Sequence, residues 1–442
     1  MALKNKDISN FNSPLGVRSK SPWTWIPTLY FAEGLPYVVA MTVSVIMYKR
    51  LGISNTDIAL YTSWLYLPWM IKPFWSPFVD LMKTKRWWIV SMQLLIGAGL
   101  AGVAFLIPMP FFFQGTLAVF WLLAFSSATH DIAADGFYML ALDSAQQSFF
   151  VGIRSTFYRL AMISAQGLLI ILAGYLERTT GNIKLSWSIT FFVMAGVFLL
   201  LFIYHRFALP KPDSDKTLQN TNSSKIFKEF VTTFVSFFKK KNIGLALAFF
   251  LLYRLGEAML VKIASPFLLD GRELGGLGLS TEAVGITYGT IGIIFLVLGG
   301  ILGGISASKG GLKFWIFPMA LSITLPNIVY VIMSVYQPVS LITINIMVAI
   351  EQFGYGFGFA AYMLYMIYIS EGEHKTAHYA FCTGFMAMGM MFPGMIAGWL
   401  QESVGYQTFF IIIMLCTIPT LAIIPFLKID REFGKKKTPN PT

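Results

Sequence analysis

The sequence predicts an all-α membrane protein whose twelve transmembrane helices form two pseudo-symmetric six-helix bundles. Three observations carry that prediction. The chain of 442 residues is 56% hydrophobic and only 12% charged, where soluble domains carry roughly 25% charged residues. Its apolar residues fall in long unbroken blocks rather than along one helical face, the pattern of helices in lipid. Short polar loops at two corresponding places half a chain apart resemble each other, as expected of a duplicated bundle.

A spanning helix needs about 20 mostly apolar residues. Blocks of that kind run at about 25–49, 57–81, 87–108, 115–142, 151–176 and 186–206, and then at about 243–268, 281–307, 313–335, 339–370, 376–401 and 406–427. The predicted organisation is a cytosolic N-terminal tail 1–24, a first bundle 25–206, a cytosolic linker 207–242, a second bundle 243–427 and a cytosolic tail 428–442. The first residues, MALKNKDISNFNSPLGVRSKS, lack the apolar core and small-residue cleavage site of a signal peptide.

The net charge of +12 could suggest a nucleic-acid partner, but the basic residues sit in short loops between apolar blocks. One set of loops holds Lys83, Lys85, Arg86, Lys211, Lys239 to Lys241, Lys309, Lys313, Lys375, Lys428 and Arg431; the opposite set holds only Lys49, Arg50, Arg178, Lys184 and Arg272. The richer side is expected to be cytoplasmic, with both termini on it, and no nucleic-acid partner is expected. The stretch KIFKEFVTTFVSFFKKK in the linker places Ile226, Phe227, Phe230, Val231, Phe234, Val235 and Phe238 on one helical face, which suits a membrane surface. Cys382 and Cys416 both fall in apolar blocks, so there is no disulfide framework.

The repeat joins LGISNTDIALY at Leu51 to LGLSTEAVGITY at Leu277, each with a serine placed to cap the next helix. Downstream, KTKRWW and KGGLKFW are short basic loops after the second span of their halves. Together these point to a transporter architecture with its binding site at mid-membrane between the bundles.

Ionisable residues inside spans are expensive and mark functional paths. The stretch ATHDIAADGFYM holds His130, Asp131 and Asp135, the acids one helical turn apart on one face. With a turn placed near Gln147, Asp135 and Arg159 are predicted to share a depth, near Glu33, Lys72 and Arg254. Asp131, Asp135, Glu33 and His130 are the candidate proton-coupling residues, because a carboxylate that gains or loses a cationic partner binds its proton with altered affinity. The competing reading is a static ion pair that fixes helix packing. Lys72, Arg159, Arg254, Glu257, Lys262 and Glu351, with Tyr30, Tyr37, Tyr158 and Gln166, are the candidate substrate-binding residues. His374 and His378 have a spacing that could bind a metal, but the surroundings offer no ligand set, and no metal site is expected. No phosphate-binding loop appears, so no cofactor or ATP drive is expected. No nucleophile and base pair stands out, so the chain does not read as an enzyme.

Several stretches resemble a known group. LYFAEGLPYVV at Leu29 to Val39, LPWMIKPFWSPFVD at Leu67 to Asp80, ATHDIAADGFYM at Ala128 to Met139 and TAHYAFCTGFMAMGMMFPGMIAGWL at Thr376 to Leu400 are similar to the major facilitator superfamily. Within it they resemble the AmpG-type muropeptide permeases and the related acetyl-coenzyme A transporters. The resemblance covers nearly the whole membrane region. His130 stands where those families usually have Gln, and Gly136-Phe137 is closer to the acetyl-coenzyme A branch. The superfamily's loop motif is degenerate, keeping Asp80, Lys83, Lys85 and Arg86 without its glycines; Asp80, Lys83 and Arg86 are candidate gate residues, or else a charge pair at a helix end. The resemblance implies a monomeric proton symporter of the bacterial inner membrane, taking up an anhydro-muropeptide for cell-wall recycling. The alternative it implies is a transporter of acetyl-coenzyme A or another anionic metabolite.

Overall fold

The computed structural model describes residues 20–215 and 223–435. The described residues form helices and no strand. Among the described residues, ten helical stretches are long and apolar enough to cross a membrane. The expectation of twelve exceeds that number for two local reasons. Asn55–Trp64 and Leu67–Met82 are separate short helices, because the chain breaks at Leu65 and Tyr66 just before Pro68, a residue that favours a helix start. The stretch Lys375–Phe426 is continuous for 52 residues, yet Gly405 inside it has φ 77° and ψ 166°. That left-handed backbone is open to glycine and breaks the helix.

The loops sort onto two faces. On one face Lys49 pairs with Asp270 at 2.7 Å, Arg50 with Glu177 at 3.0 Å and Arg178 with Glu282 at 3.6 Å. Arg272 donates to the Gln337 carbonyl at 2.7 Å. On the other face the backbone N–H groups of Lys85 and Arg86 donate to Asp215 at 2.7 and 3.0 Å, Lys240 donates to the carbonyls of Ile369 and Glu371 at 2.7 and 2.6 Å, and Tyr368 donates to the Lys428 carbonyl at 3.2 Å. Each of these contacts joins two loops of the same basic-rich or basic-poor set.

Helices from the two ends of the chain meet along two seams, and glycines make both possible. In one, Gly398 lies so close to Asn55 that a Cβ would come within 1.9 Å of the Asn55 carbonyl oxygen, and a Cβ at Gly384 would come within 2.8 Å of the Met70 oxygen. In the other, a Cβ at Gly289 would come within 1.8 Å of the Gln166 oxygen. Both sides of that second contact are wide π turns, Ser164–Leu168 and Gly285–Gly292, a local distortion often found at functional sites.

The linker helix forms at Ser223–Phe238, but its face is turned from the one expected. Phe237 is fully buried, tilted against Phe381 at 5.5 Å and stacked on Phe385 at 6.3 Å, while Val231, Val235 and Phe238 are exposed. Packing on protein, rather than lying only on lipid, selects the Phe237 side. Phe234 reaches Phe74 of the earlier helices at 6.0 Å. The expected apolar positions Ile226, Phe227 and Phe230 lie outside the described side chains.

Candidate functional site

The helix Phe112–Ala141 carries the acids, and the next begins at Ser144. Asp143 caps it: its carboxylate accepts from the Gln146 N–H at 2.8 Å and the Gln146 side chain accepts from the Asp143 N–H at 3.2 Å. The turn therefore lies at Leu142 and Asp143 rather than near Gln147. That difference corrects the expected ion pair. Arg154 reaches Asp135, at 3.0 Å. Arg159 lies five residues further on and so points about 140° away around the helix. Its guanidinium lies toward Gly300. The sequence signal for Arg154 was the Asp143–Gln146 capping box, which places the helix start.

Around this pair the site is dense. The Tyr30 hydroxyl donates to Asp135 at 3.1 Å and accepts from Arg154 at 3.0 Å. The Arg154 guanidinium lies 4.6 Å from the Tyr30 ring and 5.1 Å from the Tyr138 ring. Lys72, from the Leu67–Met82 helix, pairs with Asp131. Glu33 completes the group, with carboxylate oxygens of Glu33, Asp131 and Asp135 all within 4.8 Å of one another. Gly34 lets the first helix approach Tyr158 and Ala161, where a Cβ would come within 2.9 Å, and so sets Glu33 beside the acids. The side chains of Lys72, Asp131, Arg154 and Asp135 are 25%, 19%, 30% and 38% exposed, so the cluster is open to its surroundings. Glu33 is buried, and among the described residues its Oε2 has no hydrogen-bond partner.

Three acids of this spacing could in principle hold a metal ion. Here Lys72 and Arg154 supply two positive charges to the same oxygens, so the donor set does not call for one. The His378 Nε2 lies 2.9 Å from the Ser236 hydroxyl, and the His374 and His378 rings lie 5.9 Å apart.

His130 is fully buried and faces away from the acids. Its Nε2 lies 3.0 Å from the Gln93 amide nitrogen, the Gln93 oxygen lies 3.0 Å from His205 Nδ1, and His205 Nε2 lies 2.9 Å from the Thr28 hydroxyl. Adjacency to Asp131 in sequence turns His130 by about 100° on the helix, which explains its separate network. Gln93, His205 and Thr28 had no motif to announce them.

A second group lies on the C-terminal helices. The chain breaks at Tyr253 and Arg254, between Ile243–Leu252 and Leu255–Leu269. Arg254 faces the rings of Phe359 at 4.9 Å, Tyr355 at 5.3 Å and Tyr362 at 5.9 Å, and donates to the Tyr355 hydroxyl. Lys262 is buried, donates to Thr62 at 2.9 Å and lies 5.3 Å from the Tyr66 ring. Tyr37 meets Trp69 edge-on at 5.0 Å. Gln166 sits in the second seam, under Gly289. Glu257 and Glu351 are both buried; Glu351 accepts from Gln352 at 3.0 Å and from Tyr330 at 3.4 Å.

Of the expected gate residues, Arg86 ties its loop to the carbonyls of Arg206 and Leu209, and Lys83 lies 6.0 Å from the Trp87 ring. These contacts stay within the N-terminal part of the chain. The side chain of Asp80 lies outside the described residues. Lys85 runs along Gly136, where a Cβ would come within 2.7 Å of it, so the glycine of the acidic stretch makes room for that lysine.

Residues 28–371 match the family model for the Major Facilitator Superfamily. Among characterised and named sequences, the chain is 26% identical over 414 residues to the putative transporter AmpG 4 of Rickettsia conorii, covering 90% of this chain and 94% of the relative. It is 25% identical over 420 residues to the anhydromuropeptide permease of Escherichia coli, covering 92% of this chain and 80% of the relative. Among solved structures, the nucleoside transporter NupG superposes with a TM-score of 0.69 at 16% identity over 92% of this chain and 98% of that one. A D-xylose-proton symporter superposes with a TM-score of 0.66 at 12% identity over 94% and 99%. These likenesses establish the fold. Helices, seams and sequence agree that this multi-pass membrane chain belongs to the Major Facilitator Superfamily of transporters.

Proposed function

We propose that the chain is a proton symporter that imports anhydro-muropeptides across the bacterial inner membrane for cell-wall recycling. The substrate class rests on the AmpG-type relatives. The coupling rests on one observation: three acids, Glu33, Asp131 and Asp135, share one site with two cations, Lys72 and Arg154. Each cation is matched to an aspartate, which leaves one acid without a counter-charge. A proton on the cluster balances it, and an unbalanced charge at this depth is costly.

In this reading Lys72–Asp131 and Arg154–Asp135 are pairs that loosen when the site binds or releases the proton. Tyr30, Tyr37 and Tyr158 offer ring faces to the sugars, and Arg254 and Lys262 offer cationic partners to the ligand's carboxylates. Gln166 lines the seam side, and Arg159 borders the site rather than setting the acid's affinity. The two bundles 25–206 and 243–427, their twelve crossings and the linker 207–242 follow the same reading, with the basic loops and both termini cytoplasmic and the protein acting as a monomer. The face joined by Lys49–Asp270 and Arg178–Glu282 is then periplasmic, and the conformation is closed to the periplasm.

The test is uptake of a labelled anhydro-muropeptide into proteoliposomes under an imposed pH gradient. Proton-driven accumulation supports the reading. Uptake that only equilibrates, whatever the gradient, overturns the coupling, and no uptake at all overturns the substrate class.

A further inference from the structure

A second set of buried charges lies on the C-terminal helices, outside the acid cluster already described. Glu257 is 3% exposed and Glu351 is 1% exposed. The groups that face Glu257 are Arg254 on its own stretch of helix, Glu351 and Tyr355 on the Leu341–Ser370 helix, Tyr288 on the Gly285–Gly292 turn and Tyr330 on the Ile328–Tyr336 helix.

The hydrogen bonds separate the two acids. Glu351 accepts from the Gln352 amide on both oxygens, at 3.0 and 3.2 Å, and from the Tyr330 hydroxyl at 3.4 Å. Among the described residues, both oxygens of Glu257 are buried without a hydrogen-bond partner. Arg254, three residues earlier, does not bond to it. Its guanidinium is held instead by the Tyr355 hydroxyl and three ring faces, and its Nε is likewise buried without a partner. An ionised buried carboxylate with no donor is strongly destabilising. A neutral carboxylic acid removes the charge.

We propose that Glu257 is a second proton-binding site of this transporter, protonated in the present conformation and ionised when Arg254 turns from its aromatic cage to pair with it. The proton leaves the Glu257 carboxyl oxygen for water reaching the site, and the carboxylate left behind is compensated by the Arg254 guanidinium. Glu351 stays in place through its Gln352 and Tyr330 donors and keeps Glu257 from ionising until Arg254 arrives. Transport would then move a proton at each of two loci, one in each half of the chain. This inference rests on the proton-symport reading above, but the protonation itself does not.

Infrared spectroscopy of the purified full chain in lipid nanodiscs at neutral pH tests it first. Wild type should show the C=O stretch of a protonated carboxyl that Glu257→Gln removes. Identical acid bands in the two proteins would overturn the proposal. Proteoliposome transport tests the role. Glu257→Gln should lose at least tenfold in proton-driven accumulation, and Glu257→Asp should recover part of it. Full accumulation by Glu257→Gln overturns the proposal. A wild type that shows the acid band but no proton-driven accumulation overturns the symport reading and leaves the protonation standing. Thermal melting of each variant establishes that it is folded, and the wild-type acid band, titrated away at high pH, provides a measurement that needs no variant.

Discussion

Arg154 meets Asp135 at 3.0 Å, with the Tyr30 hydroxyl bonded to both. The pair crosses a hairpin whose turn is fixed by the Asp143 cap, so helix start and site charge are one structural fact. Removing Arg154 leaves Asp135 beside Asp131 and Glu33 with one cation among three acids. Breaking a buried pair costs about 3–5 kcal/mol, and partial exposure reduces that to roughly 1–3 kcal/mol here. Arg154→Ala should therefore lower proton-driven uptake by at least tenfold, while Arg159→Ala should have the smaller effect. Initial rates in proteoliposomes decide this, and the reverse order would return Arg159 to the ion pair.

Asp270 accepts from Lys49 at 2.7 Å and from the Tyr406 hydroxyl at 2.5 Å, which makes it a latch between helices distant in sequence. Asp270→Asn removes the charge from that latch. A loss of about 1–2 kcal/mol would shift the population of the open form roughly 5- to 30-fold. Spin-label distances across this face, between labels on the loops near Lys184 and Gln337, should lengthen in the variant. An unchanged distance distribution would show that other contacts hold this face closed.

Gly289 touches the Gln166 carbonyl so closely that no side chain fits. Gly289→Ala should block closure of that seam and abolish transport, with thermal melting showing that the protein remains folded. Cysteine labelling from the side of Lys49 and Asp270 should rise at Thr287 in this background. Normal transport by Gly289→Ala would mean that the seam need not close.

His130 bonds Gln93 rather than an acid. Glutamine can offer the same side-chain bond, so His130→Gln should retain more than about half of wild-type uptake and its dependence on the pH gradient. Loss of the gradient dependence would restore His130 to the proton path.

Much of this was legible from the sequence. The apolar blocks predicted the helices, because that signal is local. The acids of ATHDIAADGFYM announced themselves by their cost in an apolar run. Their partners were harder to read: Lys72 came out by depth counting, but Arg154 depended on a turn position that a capping box gave and residue counting did not. The Gln93–His205–Thr28 chain was silent because polar residues scattered over three helices have no spacing in common. Phe237 was missed because a helix packed between lipid and protein has two apolar faces, and periodicity alone does not say which is the deeper. The close passages at Gly289 and Gly398 look in sequence like any other small residue of a membrane helix.

The most direct test of the central claim is substrate-driven proton movement in wild-type proteoliposomes loaded with a pH-sensitive dye. Adding an anhydro-muropeptide outside should acidify the lumen at a rate that follows uptake, and the acidification should disappear in a Glu33→Gln, Asp131→Asn and Asp135→Asn triple variant. Uptake of the same ligand with no change in lumenal pH would contradict the account.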